Sequence, residues 1–382
     1  MRLRSCGSMM PVAALLLATS ACAEHAVPSS VGANPALQLP SVLAGDSRPP
    51  DTTSILKKLR KDVVIGSTVD AKNGDKGPRA LSIVGRTKGV LTQGQLLVCN
   101  FEDSAGVPGN GTTIEVLNPK PGSQPVRFFQ GDSIKGCDGD AYTRGHFVFG
   151  SGRTSGEIAE MNDNGVPVLT FGGKNLAKPL SDTDALPEQS FSPEYIYAGT
   201  TAGGIASLSI GFYGNGKVLQ VADGFAATKY KGLDELGPSG LQYNRNIDTL
   251  YIVDGVTNTL VAFSNASKLL AKDEIIVKPG GKTFKCKYPK VTCASLVYSG
   301  SPLDAPMAST LLPNGNLVVA NTQGTANTLV ELTPQGQVLD TKVVDKSPTQ
   351  GVFGLAARGK NDSDTVIFFT DTNSNTVNAL VR

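Results

Sequence analysis

One pattern of apolar and polar positions recurs along this chain. A short apolar strand is followed by a polar turn, a second apolar strand ending in Asp or Asn, a polar loop and a third strand. The clearest copy is PSGLQYNRNIDTLYIVDGVTNTLVAFSN, residues 238–265. Residues 305–339 (APMASTLLPNGNLVVANTQGTANTLVELTPQGQVL) and 351–381 (GVFGLAARGKNDSDTVIFFTDTNSNTVNALV) repeat it, and weaker copies lie upstream. LYIV, LVVA and VIFF are apolar and rich in β-branched or aromatic residues, which suits strands covered on both faces. NGN, PQGQ and GNGK carry the Gly and Asn that hairpin turns with positive φ require. One such unit cannot bury both faces of its sheet, but a ring of them can.

The second strands LLVCN, HFVFG, VLQVAD, LYIVD, LVVAN and IFFTD count about six units, so the pattern predicts an all-β, six-bladed β-propeller. The stretch 172–204 is poorly patterned and is expected to be a long insertion between blades. The final copy stops one strand short. KDVVIGSTVD, residues 61–70, is an apolar run upstream of the first copy, and it is expected to close the last blade as its outer strand.

The composition, with 43 Gly and 23 Pro, agrees with a turn-rich β-protein rather than a helical bundle. The balance of 35 basic against 33 acidic residues gives no electrostatic pull toward nucleic acid. No apolar run beyond the first two dozen residues approaches the roughly 20 needed to span a bilayer.

The first residues read as an export signal. Arg2 and Arg4 form a basic start, MMPVAALLLA (9–18) an apolar centre, and Thr19-Ser20-Ala21 precede Cys22. Two readings stand. Lipidation of Cys22 gives an anchored lipoprotein facing the periplasm or outer membrane, and Ala23 in place of Asp favours the outer membrane. Cleavage after Ala23 gives a secreted protein. Residues 1–22 are assigned to the signal, 23–56, rich in Pro, Ser and Ala, to a flexible tether, and 57–382 to the propeller. Export permits disulfides. Cys286 and Cys293 flank the short loop KYPKVT and are expected to pair. Cys99 and Cys137, in successive blades, either pair or stay as two buried thiols.

Chemistry is thinner. Asn100, Asp223, Asp254, Asn321 and Asp371 end strands, with Gly150 in the odd blade. If equivalent positions share one face of a ring, Asp223, Asp254, Asn321 and Asp371 are candidate ligands for Ca²⁺ or another divalent ion. The competing reading is that each caps its own loop. His25 and His146 are the only histidines, and no nucleophile elbow precedes a helix. GSGRTSGE (150–157) is Gly-rich but lacks the lysine of a phosphate loop. Two basic clusters stand out, Lys57 to Lys61 and Lys278 to Lys290 (KPGGKTFKCKYPK), the second with Phe284 and Tyr288.

GPSGLQYNRNIDTLYIVDGVTNTLVAF (237–263) resembles the NHL-type repeat and the related blades of the gluconolactonase (senescence-marker protein) superfamily. The resemblance runs from about Lys61 to the end of the chain and is strongest in the last third. It implies a six-bladed propeller. In the lactonases it further implies a divalent metal at the centre of one face, held by Glu, Asn and Asp, one ligand being the Asn of a P-N-G-L turn. The matching turn here is Pro238-Ser239-Gly240-Leu241, with Ser239 at the ligand position, and the family's first-blade Glu has no counterpart. Such propellers serve as enzymes, binding platforms and scaffolds. The expectation is a monomeric, non-catalytic cell-envelope propeller that engages a protein or glycan through the loops of one face and needs no cofactor. The alternatives are a metal-dependent lactone hydrolase and a degenerate member that keeps only small-ligand binding.

Overall fold

The computed structural model describes residues 50–382 apart from 175, 177, 185–193, 211–215, 230–234 and 323–324. The expected signal, Cys22 and most of the tether lie outside the described residues. Among those described, no helix is long and apolar enough to cross a membrane.

The described residues form seven sheets: six blades, each with an inner strand whose neighbours lie successively outward, and a two-stranded ribbon of Thr228–Lys229 and Glu235–Leu236. Blade 1 comprises Lys76–Ile83, Leu96–Glu102, Pro108–Leu117 and Val126–Gln130; blade 2 comprises Cys137–Tyr142, Val148–Gly152, Glu157–Met161 and Pro167–Phe171. Blade 3 has Pro179–Asp184, Glu194–Thr200, Ile205–Ile210 and Gly216–Asp223, extended by Ile275–Val277 and Phe284–Cys286. Blade 4 is Pro238–Asn244, Thr249–Asp254, Thr259–Ser264 and Cys293–Ser299, and blade 5 is Pro306–Leu311, Leu317–Asn321, Asn327–Leu332 and Val338–Asp345. Blade 6 takes Leu355–Arg358, Val366–Asp371 and Thr376–Val381 from the end of the chain and Lys61–Ser67 from its start. Lys61 pairs with Val381 and Ser67 with Thr376, antiparallel, with a register shift between Val64 and Gly66.

Six apolar clusters lie between neighbouring blades. Leu81, Val98, Phe368 and Val377 join blades 1 and 6, for example, and Tyr251, Val253, Leu317 and Val319 join blades 4 and 5. This is why the second strands have apolar centres: each is covered from both sides. The inner strands touch round the ring and approach closely, so small residues are required there. A Cβ at Gly354 would lie 2.4 Å from the Arg79 carbonyl oxygen, and one at Gly240, whose φ is +51°, would lie 2.8 Å from the backbone of Ala308.

Blade 3 corrects the sequence reading. Residues 172–204 are not an insertion; they contain the blade's inner two strands. VLQVAD is the fourth strand, not the second, so Asp223 lies on the outside of the blade. PLSDTD is too polar to announce a strand by pattern. The folded body also begins slightly before residue 57. Ile55, Leu56 and Leu59 are fully buried between blades 5 and 6, where Glu331 accepts hydrogen bonds from the backbone N–H of Ile55 (3.2 Å) and Leu56 (2.8 Å).

The expected Cys286–Cys293 disulfide is present, and of the two readings left open for Cys99 and Cys137 the structure shows the paired one. Cys99–Cys137 staples the second strand of blade 1 to the start of blade 2, and Cys286–Cys293 ties the extension of blade 3 to the outer strand of blade 4.

Candidate functional site: the central channel and its upper mouth

The upper face is taken as the one where the inner strands begin and the second strands end. Register places Pro78 opposite Asn100, Cys137 opposite Gly152, Pro179 opposite Thr200, Pro238 opposite Asp254 and Pro306 opposite Asn321. A proline suits the first position of a strand, where its missing N–H costs no ladder bond. The residues that follow four of these positions, Arg79, Asp138, Ser239 and Met307, lie at the channel mouth and are at most 7% exposed.

Asp138 bridges two buried guanidinium groups. Arg79 Nη1 lies 3.6 Å from its Oδ1, and Arg153 Nε lies 3.5 Å from its Oδ2. Arg153 comes from the loop after the second strand of blade 2. The Arg79 Cζ atom stands 3.7 Å from the centre of the Phe353 ring and 4.2 Å from that of Phe101; Arg153 Cζ stands 4.3 Å from the centre of the Phe101 ring. The result is a stack of four side chains, Phe353, Arg79, Phe101 and Arg153, with one carboxylate alongside. Guanidinium suits this site because it is planar and weakly hydrated, so it can lie on ring faces while it pairs. The rest of the mouth is apolar: Met307 and Phe353 pack with Leu236 and Ala305.

Beneath the mouth is a cavity of about 250 Å³ walled by the inner strands of blades 1, 2, 4, 5 and 6. Its polar lining includes Ser82, Asp140, Tyr142, Gln242, Ser309 and Thr310. This set can hold a small polar molecule by hydrogen bonds. Tyr142 marks the lower end, where its hydroxyl contacts the Arg86 carbonyl (3.2 Å) and His146 Nδ1 (3.1 Å), and burial raises its pKa. His146 therefore sits in the turn between the first two strands of blade 2, at the opposite end of the channel from Arg153.

The strand-end residues are occupied locally. Asp254 is fully buried and accepts from the N–H groups of Val256 (2.9 Å) and Thr257 (3.4 Å) and from the Thr257 hydroxyl (2.7 Å). Burial raises its pKa, and these donors oppose the rise. Asp371 accepts from Asn373 N (2.9 Å), Ser374 N (3.3 Å) and the Ser374 hydroxyl (2.7 Å). Asn321 donates to the Pro302 carbonyl (2.7 Å) and Thr328 Oγ1 (3.0 Å) while accepting from Asp304 N (3.0 Å). Asn100 donates to the Thr68 carbonyl (2.8 Å), and Asp223 accepts from Gly224 N (2.8 Å). Gly150 lies within the second strand of blade 2, two residues before that strand's end. The structure does not bring Asp223, Asp254, Asn321 and Asp371 together. Among the described residues no three His, Cys, Asp or Glu side chains are grouped to hold a metal ion.

The donor set at the mouth does not fit a hard divalent cation. Ser239, at the position that the resemblance assigns to an Asn ligand, is fully buried with its hydroxyl 3.6 Å from the Met307 sulfur. The Asp138 carboxylate at the mouth faces two guanidinium groups. A thioether and two fixed cations oppose hard-metal binding.

The stack was not visible in the sequence reading, because its members come from three blades and five separate segments. The available signal was a charged residue directly after Pro78 and another directly after Cys137, near the start of two inner strands.

The fold defines the class: a six-bladed β-propeller. No family model matches the sequence, and no curated protein matches it. Solved structures do. A gluconolactonase from Xanthomonas campestris superposes with a TM-score of 0.55 at 12% identity, over 87% of this chain and 94% of that one. A protein of unknown function from Bacteroides thetaiotaomicron gives 0.53 at 12% identity, over 83% and 74%. Virginiamycin B lyase from Staphylococcus aureus gives 0.51 at 11% identity, over 84% and 98%. At such identities the likeness is one of fold, and it includes the gluconolactonase-like propellers that the repeat resembles.

Proposed function

We propose that this chain is a non-catalytic binding propeller of the cell envelope, exported by its N-terminal signal, held by lipidated Cys22, and engaging a protein or glycan through loops of one face. The observation that carries the reading is the paired and stacked set of side chains at the channel mouth. Where a lactonase-type propeller needs an open metal centre, Arg79 and Arg153 lie on Asp138 between Phe101 and Phe353. Buried, paired and stacked side chains of this kind are suited to holding blades in place, and they leave the rims as the surface for a large ligand.

The test is thermal unfolding of the full chain in EDTA and then in excess Ca²⁺, Mg²⁺, Zn²⁺ or Mn²⁺, beside hydrolysis assays on a panel of lactones and cosedimentation with envelope glycan and with envelope protein. A ligand far above its dissociation constant stabilises by a few kcal/mol, which a midpoint shift reads easily. The expected result is no metal-selective shift, no turnover, and saturable binding to one envelope fraction. A selective shift together with lactone hydrolysis would establish the metal-dependent hydrolase instead. The channel below the mouth gives the degenerate small-ligand reading its own observation, the polar cavity of about 250 Å³.

A further inference from the structure

The extension of blade 3 forms a basic plane on the outside of the propeller. Ile275–Val277 pairs in parallel with the end of the fourth strand, Ala222 with Ile275 and Asp223 with Ile276, and then turns back antiparallel into Phe284–Cys286. Side chains alternate across such a hairpin. Ile275, Val277 and Phe284 face inward and join the core between blades 3 and 4. Cys286, on the same side, is bonded to Cys293 at the start of blade 4's outer strand. The outward side carries Lys285, and the alternation continues through the Lys278–Thr283 contact (2.8 Å) and the Lys287–Glu274 contact (2.7 Å), so Lys278, Lys285 and Lys287 share one face. Lys282 occupies the turn and Lys290 the disulfide-closed loop; all five lysines are exposed.

None of these lysines forms an ion pair among the described residues, and from Ile275 to Leu303 the chain has no acidic residue. The two acids just before the hairpin are engaged elsewhere. Asp273 accepts from Gln220 Nε2 (3.0 Å), and Glu274, 3% exposed, accepts from the N–H groups of Leu270 and Ala271. Apolar groups stand among the charges: Tyr288 and Val291 are each 46% exposed, and Leu270 is 59% exposed.

We propose that this hairpin and its disulfide-closed loop, residues 275–293, dock the propeller on an anionic phospholipid surface. The lysines meet lipid phosphates while Tyr288 and Val291 enter the interfacial layer. Lysine guards an edge strand against pairing with other chains, but that role ends with the three-residue edge strand, whereas these lysines continue through a turn and a closed loop. A hydrated polyanion would use the charges and leave the apolar groups idle. A bilayer interface uses both, since aromatic and aliphatic groups partition there while Lys side chains extend to the headgroups. The hairpin is held on one side by strand pairing and on the other by a disulfide, so little ordering is required on docking.

The test is cosedimentation of the full chain with phosphatidylcholine vesicles, with and without phosphatidylglycerol, at low and at high salt. The apolar N-terminal segment contributes to binding on both vesicle types, so the readout is the ratio between them. The expected ratio is at least about tenfold at low salt, falling toward one at high salt and in the triple variant Lys278→Glu, Lys285→Glu, Lys287→Glu. The unfolding midpoint of that variant confirms that it folds. Tyr288→Ser with Val291→Ser is expected to weaken binding several-fold while keeping the salt dependence. A ratio near one in the native chain, or one unchanged by the charge reversals, overturns the proposal. So does equal competition by soluble polyphosphate with no effect of the Tyr288 and Val291 changes, which would identify a soluble polyanion as the partner. These outcomes are independent of the channel and of the lactone assays.

Discussion

Replacing Glu115 by Gln should remove a strong pH dependence from the stability of this propeller. Glu115 lies on the third strand of blade 1, opposite Arg127 on the fourth, and is fully buried. Arg127 is committed to Asp70, with Nε at 2.7 Å and Nη2 at 2.5 Å from its two oxygens. Asp70 also accepts from the N–H groups of Lys72 and Asn73, both at 2.7 Å. It is therefore held ionised, with its pKa well below the usual range despite burial. Glu115 is left without a cation of its own. Burial first, and then the neighbouring ionised Asp70, push its pKa up to about 9. The folded protein holds this proton more tightly than the unfolded chain does. The stabilisation is complete below about pH 4.5 and is lost as the pH rises toward 9. One proton is worth about 1.4 kcal/mol per pH unit, so between pH 5 and pH 8 the ceiling is about 4 kcal/mol. For a domain of this length that corresponds to about 6 °C in the unfolding midpoint. Gln keeps a donor toward Asp70 and cannot titrate. Scans of both proteins at one heating rate across this range should show the native chain losing its midpoint relative to the variant as the pH rises. Taking the difference cancels every other titrating group. A difference that is flat from pH 5 to 8, or one that grows in favour of the native chain, would refute the reasoning.

Four further outcomes follow from the same geometry. Removing the Cys99–Cys137 bond by double Ala substitution, which opens a 38-residue loop, should cost about 4 kcal/mol in the chain-entropy account, and the shorter Cys286–Cys293 loop of 7 residues about 2 kcal/mol; thermal melts of the two double variants read the order. Arg79→Ala strips one buried partner from Asp138 and should cost about 3–5 kcal/mol, and Arg79→Lys should recover only part of that because ammonium cannot lie flat between Phe353 and Phe101, as urea unfolding would show. Glu331→Ala leaves the N–H groups of Ile55 and Leu56 without their acceptor and should cost about 2–4 kcal/mol, with faster proteolysis before residue 60 as a second readout. Deleting the chain up to residue 67 removes the outer strand of blade 6 and exposes the Thr376–Val381 edge, so the product should aggregate or lose its cooperative transition by calorimetry.

The parts of the fold that were legible are those where physics leaves one option. LYIVD, LVVAN and IFFTD read as second strands because a strand packed on both sides needs an apolar centre, and such runs stand out in a turn-rich chain. Blade 3 failed for the converse reason: PLSDTD has no apolar face to display, so its strand is imposed by neighbours in the ring rather than by its own residues. That error carried Asp223 to a false equivalence with Asp254, Asn321 and Asp371. The capping role of the last three was legible, since an Asp or Asn just before a polar loop has its donors at hand. The Arg79, Asp138 and Arg153 cluster was not, because pairings between residues in different blades leave no periodic trace.

The closing seam of the ring shows what polar contacts do that apolar packing cannot. The N-terminal strand Lys61–Ser67 is held along its length by pairing with Thr376–Val381, and on either side of it by a buried carboxylate. Before the strand, Glu331 takes the Ser54 hydroxyl (2.7 Å), the N–H groups of Ile55 and Leu56, and Asn316 Nδ2 (3.1 Å). After it, Asp70 takes Arg127 and the backbone of its own turn. Both are charge-assisted contacts between groups far apart in sequence; those of Glu331 form only when the two ends of the chain have met, and that of Asp70 with Arg127 ties the closing segment to blade 1. An apolar strand can slip along its partner by two residues and still bury its face. Glu331 and Asp70 remove that freedom, because each would be left buried without its donors in any other register. The seam therefore combines a paired strand that buries Ile65 with two polar pins that fix where it sits, and the Glu115 proton is the cost at about pH 8 of placing one of those pins beside a second carboxylate.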